Sequence, residues 1–447
     1  MSEYLRGRWT PVREERTVEW PEVTGRLPPE LDGTFVQIGP NPIAPPRILP
    51  YLFLIADGMV HGVRIRDGRA EWYRNRWIRR ASVSRRLGEP RVPRTPGGKM
   101  LHDNPNTKVI RLAGMNLALA EAGCLPALLS DELSTLGYTD LGGVSPGFSA
   151  HPSRDPATGE LHAVAYTPGK SAVRYLVVGA EGGLLRSETI EMPGYTPVMH
   201  SLALTERHVV LLDLPVRVAP SRLLLGRMPV RWDARAPGRI GVLPKHGGAR
   251  EVRWFEVPPC YVYHTVNAVE EDGRIVLDAI RYPSSFAVDR ILGVDGEPLL
   301  WRWTLDLATG TVREEQLDDR IVEFPQIDER YTGRPYRYSH VMEAARGTGL
   351  PQFGERTRLS RRDHRTGATE SHAFADGGLP TEGVFVPRSP DAPEGDGWIL
   401  AFVLSPETGL SRITVLDSQD FSGEPVAEIK LPVRVPHGFH SSWLPAD

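Results

Sequence analysis

Four histidines stand at the edges of apolar, strand-like runs: His151 in FSAHP (148–152), His200 in VMHSLALTE (198–206), His264 in YVYHTVNA (261–268) and His440 in VRVPHGFHSSW (433–443). Neutral imidazoles are good ligands for divalent first-row metals. The ligands of a zinc finger come in short local pairs, whereas these four are spread from position 151 to position 440. They suit a centre to which separate modules each contribute one side chain. A single histidine of this kind more often orders a turn or sits at the surface. The shared local form of four is what favours a metal, with His437 a close competitor of His440.

The elements that must carry these side chains read as strands. After a polar lead-in over residues 1–35, the chain breaks into short alternating runs separated by turn residues, the pattern of an all-β sandwich, barrel or propeller. Hairpin signals fall at Asp67-Gly68, 156–159, 181–183, Asp272-Gly273, 308–310, 365–367 and 406–409. The phrases DPATGE, LATGTV and SPETGL resemble one another without a strict repeat period. Two stretches are less strand-like. Residues 125–136 (LPALLSDELSTL) space their leucines for one face of a helix or ordered loop, and residues 220–232 (PSRLLLGRMPVRW) alternate apolar and basic side chains.

The order of motifs along the chain resembles the carotenoid cleavage oxygenases, iron(II) enzymes built on a seven-bladed β-propeller. The resemblance runs through 39–42 (GPNP), 57–61 (DGMVH), Asn106-Thr107, 117–123 (LALAEAG), 200–206 (HSLALTE), 264–270 (HTVNAVE), 323–325 (EFP), 382–388 (EGVFVPR) and 438–440 (GFH). It implies an all-β, seven-bladed propeller with a small helical or loop cap over its top face. It further implies a single domain over residues 1–447, with the cap supplied by insertions near 125–136 and 220–232 that touch a membrane where a lipophilic substrate is collected. The seven-blade count comes from the resemblance, not from periodicity.

The same resemblance makes His151, His200, His264 and His440 the ligands of one Fe(II) per chain and places His437 outside the set. It makes Glu121, Glu323 and Glu382 the carboxylates that hold the imidazoles, and Thr107 the residue whose methyl restricts an open coordination position. Each glutamate lies in an apolar or glycine-rich run, where an unpaired carboxylate would be costly to bury. His61 belongs to a family motif and is expected to order a blade turn. The remaining histidines, several in polar stretches, are given no site role.

The implied reaction is oxidative cleavage of a carbon–carbon double bond by dioxygen, giving two carbonyl products from a carotenoid or apocarotenoid. Stilbene-cleaving members carry a Tyr and a Lys that hold a phenol, and those positions fall on Trp77 and Ala120 here. Neither side chain replaces its counterpart, so a polyene is favoured and a stilbene or other phenylpropenoid alkene is the alternative. Trp77 is then either a tunnel wall or an ordinary blade aromatic. A lipid-binding propeller without chemistry is the third reading, and four complete histidine motifs speak against it.

Composition agrees. A chain of 447 residues, 40% hydrophobic, can bury a large core, and its 44 glycines and 41 prolines suit many turns. The formal charge of -3 offers nothing to attract nucleic acid. Cys124 and Cys260 read as buried thiols of a reducing compartment, though one disulfide is possible. The charged opening segment is not a signal peptide and there is no apolar run of spanning length. The expectation is a cytoplasmic protein, peripheral to a membrane at most.

Overall fold

Alternating runs rich in Val, Leu, Ile and Tyr fold as antiparallel strands grouped into seven sheets of four to six strands, the blades of a propeller, beside one two-stranded sheet; the computed structural model describes residues 3–45, 51–288, 291–345 and 357–446. Blades two to six are simple meanders that begin at Lys108–Leu112, Ser153–Arg154, Leu202–Leu204, Tyr261–Glu271 and Ile321–Gln326. Several of these first strands pack against one another around the axis.

The ring is fastened twice. His440–Pro445 pairs with Gly33–Pro40 as the inner strand of blade one, with Ile38 opposite His440. Val23–Gly25 pairs with Ala427–Lys430 as the outer strand of blade seven. Closure by strands distant in sequence leaves only short sheet edges. The lead-in over 1–35 is therefore a fastener, since Arg16–Glu19 also adds an outer strand to blade one.

The core lies between blades. Val36 and Ile38 of blade one join Leu117 and Leu119 of blade two and Leu176 of blade three in one buried cluster. Burying each such side chain contributes about 1.5–3 kcal/mol.

All the signalled hairpins form. Asp67 and Gly68 have φ of 50° and 69°, and Asp272 and Gly273 have 48° and 73°, the twist that joins adjacent strands tightly. The similar phrases are one turn used repeatedly. The N–H of Gly159, Gly310, Gly367 and Gly409 donates to the carbonyl of Asp155, Asp306, Asp363 and Ser405.

The expected cap at 125–136 is not one. Ala127–Leu129 and Thr135–Tyr138 are the outer strands of blade two, joined by a turn with Leu133 at φ 66°. Leu129 and Leu133 are buried while Leu136 is exposed, so the leucine spacing reflects strand alternation around a turn. Residues 220–232 do leave the blades. A 3-10 turn, Pro220–Leu225, ends at Gly226 (φ 62°), and Val230–Trp232 returns to pair with Val216–Val218. Among the described residues the sole α-helix is Ala81–Leu87.

Candidate metal centre

Each of the seven blades delivers one polar side chain towards the axis. His440 opens the inner strand of blade one, His151 and His200 immediately precede the first strands of blades three and four, and His264 lies within the first strand of blade five. Blade two supplies Glu121 just after Met115–Leu119, blade six Glu323, and blade seven Glu382, between Leu379–Pro380 and Val384–Pro387. Regular pairing is broken at two of these points, between Val262 and Thr265 and between Glu323 and Gln326. Such bulges re-aim side chains.

The four histidines converge, with one ring nitrogen from each lying within 4.8 Å of the others. His151 is central, its ring 4.3, 4.5 and 5.1 Å from those of His200, His440 and His264. On the far side of three rings stand the glutamates. His200 Nδ1 is 3.2 Å from Glu121, His264 Nδ1 2.6 Å from Glu323, and His440 Nδ1 3.2 Å from Glu382. A carboxylate can only accept, so each Nδ1 donates and each Nε2 keeps a lone pair.

Those lone pairs are the test of whether a cation fits. The Nε2 atoms of His151 and His264 are buried with no hydrogen-bond partner, a costly arrangement that a divalent ion in the middle would resolve. Burial pushes His151 well below its ordinary range and His440 down to about 4, the latter against the opposing pull of Glu382. Burial also pushes Glu382 up, but His440, Lys108 and Gln326 outweigh it and hold the carboxyl below its usual value. Neutral imidazole beside ionised carboxylate is the state a metal needs.

The carboxylates are themselves fixed. Glu382 accepts from the Ser441 N–H at 2.7 Å and Gln326 Nε2 at 2.5 Å, and Glu323 from the N–H of Phe324. Tyr166 and Tyr282, both buried, direct their hydroxyls to Glu121 and Glu323. Phe324, at φ 54°, holds its ring 5.4 Å from both His264 and His440. Nothing in the sequence signals the tyrosines or Gln326, because each sits on a different blade from the group it meets.

Two hollows meet at this cluster. One, of about 540 Å³, is bordered by His200, His264 and His440 and by Phe53, Leu54, Ala120, Val198, Met228, Phe286 and other apolar groups, with the 220–232 arm as part of its wall. The other, of about 130 Å³, is bordered by His151, His264, His440, Lys108, Glu382 and Gln326. Thr107 borders the larger one and donates its hydroxyl to Asn106 Oδ1 at 3.1 Å, which leaves its methyl as the free branch.

Trp77 is absent from both linings. It is buried between blade and helix against Met59 and Val83, its Nε1 donating to the Asn41 carbonyl at 2.8 Å, so it is a blade aromatic. Ala120 does line the cavity. His61 lies in mid-strand, not at a turn, with Nδ1 2.9 Å from the Tyr73 hydroxyl. His162, His340 and His372 are also buried in strands and not in polar loops. His437 stays outside the cluster, with Nδ1 2.6 Å from Arg8. Both cysteines are free and buried, which pushes the Cys124 thiol up to about 12 and Cys260 up to about 11.

The family described as retinal pigment epithelial membrane protein matches residues 9–445. The chain belongs to the carotenoid cleavage oxygenase family. A relative in Mycobacterium tuberculosis named carotenoid cleavage oxygenase is 39% identical, the match covering 99% of this chain and 97% of that one. The crystal structure of a lignostilbene dioxygenase from Pseudomonas brassicacearum superposes with a TM-score of 0.89 at 31% identity, over 100% and 99% of the two chains. That of a cobalt-substituted Synechocystis protein, ACO, gives 0.86 at 27%, over 99% and 98%. This carotenoid oxygenase is thus a non-haem iron dioxygenase on a seven-bladed propeller, and its four-histidine cluster fits one iron ion.

Proposed function

We propose that His151, His200, His264 and His440 hold the Fe(II), that Glu121, Glu323 and Glu382 aim His200, His264 and His440, and that the substrate is a carotenoid or apocarotenoid. The observation that carries this reading is the convergence of four imidazoles within 4.8 Å, three of them bordering the large apolar cavity. Bound there, iron(II) supplies dioxygen activation beside an alkene. The protein does the rest by position.

The cavity walls strip water from a polyene and fix which double bond lies over the cluster, so regioselectivity follows from the fit along the wall. Thr107 bounds the space beside the cluster with its methyl. The glutamates keep the Nδ1 protons of His200, His264 and His440 in place, so that these three imidazoles present an unprotonated Nε2 to the cation. Cleavage with both oxygen atoms of dioxygen yields two carbonyl products.

The walls disfavour a hydroxystilbene. No lysine lines the cavity among the described residues, and its one arginine, Arg80, is taken by Asp57 and Asp103. A phenol therefore finds no free cation there. At the mouth, Ile55, Leu101 and Leu223 both line the cavity and stand exposed, next to Leu224 at 89% and Leu225 at 68% exposure. An apolar rim flanked by Arg222 and Arg227 supports collection of a lipophilic substrate from a membrane surface. No helix among the described residues is long and apolar enough to cross one. The chain is read as one propeller domain throughout.

The test is aerobic incubation of the iron(II)-loaded protein with a panel of carotenoids, apocarotenals and hydroxystilbenes, with mass analysis of the products. Aldehyde pairs from a polyene are expected. Products from the stilbenes alone would overturn the substrate assignment.

A further inference from the structure

We propose that His437 is a substrate-binding residue, a fixed hydrogen-bond donor that selects polyenes carrying an oxygen function; the inference rests on the polyene reading above.

The tautomer follows from the neighbour. Arg8 and His437 are held together at two levels. The His437 N–H donates to the Arg8 carbonyl at 2.9 Å, and Arg8 Nη2, which also donates to the Pro380 carbonyl at 3.0 Å, lies 2.6 Å from His437 Nδ1. A guanidinium has only donors, so Nδ1 must be the acceptor and the ring proton of neutral His437 must sit on Nε2. The ring is wedged edge-on against Trp9 at 4.5 Å and Phe324 at 6.3 Å, which fixes its direction as well.

That Nε2–H opens onto the cavity. His437 is 6% exposed, lines the large hollow, and makes no Nε2 hydrogen bond to any described residue. Other polar side chains of the same lining are already engaged. Asn104 and Asn106 donate to backbone carbonyls, Arg80 pairs with Asp57 and Asp103, His102 meets the Glu121 carbonyl, and the Tyr263 hydroxyl is used by Ser285, Leu292 and Gly293. A donor that opens onto an otherwise apolar cavity loses its water when a polyene fills the space, and a substrate oxygen replaces that water as the acceptor. Because Arg8 holds Nδ1, the ring offers a donor and no acceptor, so the group it recognises is a carbonyl or hydroxyl oxygen and not a bare hydrocarbon end. Phe324 stands between His437 and His440, so the anchored oxygen lies near the cluster and not at the cavity mouth. The same contact therefore helps set which double bond is presented.

The experiment titrates anaerobic, iron-loaded protein with an apocarotenal, the matching alcohol and a hydrocarbon polyene of the same length, following binding by tryptophan fluorescence and the absorption band of the polyene. The native protein is expected to prefer the oxygenated ligands by about tenfold or more, with a red shift of the apocarotenal band as its carbonyl accepts a hydrogen bond. His437→Phe is expected to lose both the preference and the shift. His437→Gln is expected to restore part of each, because its amide oxygen can accept from Arg8 while its NH₂ donates to the ligand. Equal affinity for all three ligands in the native protein, or a preference and shift that survive in His437→Phe, would overturn the proposal while leaving the polyene reading intact. Failure of every polyene to bind would remove both.

Discussion

The two hollows that meet at the histidine cluster are built of opposite materials. The cavity of about 540 Å³ is walled by apolar side chains and reaches His200, while the hollow of about 130 Å³ is lined by Lys108, Gln326 and Glu382 and reaches His151. His264 and His440 belong to both. A long lipophilic alkene fits only the first, and the second has room only for small polar species. The support of the imidazoles divides in the same way. His200, on the cavity side, is held by Glu121, whereas His151, on the polar side, has no carboxylate partner among the described residues and packs 4.3 and 4.5 Å from the rings of His200 and His440. The asymmetry separates the tasks of the two sides, one shaping a substrate and the other completing a cation site.

The most severe way to test this division is at a residue shared by both sides. His264→Ala is expected to abolish turnover and sharply lower iron content, with circular dichroism still reporting the β fold. Turnover at the native rate would break the ligand assignment. Glu323→Gln is milder, since the amide keeps the shape but no longer fixes the His264 proton. Activity is expected to fall about 10-fold or more with part of the iron retained, as metal analysis beside kcat would show. Changing charge on each side in turn sharpens the contrast. Ala120→Lys places an ammonium in the apolar cavity and is expected to raise KM for a polyene about tenfold, whereas Lys108→Met on the polar side is expected to alter KM far less. Equal KM effects would mean that the two hollows are not functionally distinct.

The gentlest test titrates buried rings that border neither hollow. Burial lowers His61 and His340 to about 3 and His162 and His364 to about 4. In the unfolded chain these rings take protons at about pH 6.5. The unfolded state therefore binds more protons below that value, and stability that is complete above about pH 6.5 declines as the pH falls towards 4 and 3. The urea midpoint is expected to drop measurably from pH 7 to pH 5 and to be unchanged by these rings from pH 7 to pH 8.

The strands and their turns were legible because alternation and Asp-Gly or Thr-Gly turns are local properties. The histidine motifs were legible for a different reason, since each keeps its own short context even though the four lie far apart. Sequence spacing failed where a turn interrupts alternation, as at 125–136, where Leu129 and Leu133 imitated a helical face. It left Trp77 open between a tunnel wall and a blade aromatic, and the packing against Met59 and Val83 decides for the second. Partnerships across blades were out of reach altogether. Nothing in the neighbourhood of Tyr166, Tyr282 or Arg8 announces that they meet Glu121, Glu323 and His437.

The strand that closes the ring also carries His440. During synthesis from the N-terminal side, the ligands from blades three, four and five are made well before this last one, so a full set exists only once the first and final segments have met. Cation binding at this cluster would then be coupled to ring closure. An ion held by all four imidazoles would act as a clasp between blade one and the opposite blades, stabilising the closed ring by mass action. By the same coupling, an opened ring would hold a cation only weakly, so the metal and the enclosed cavity would be acquired together.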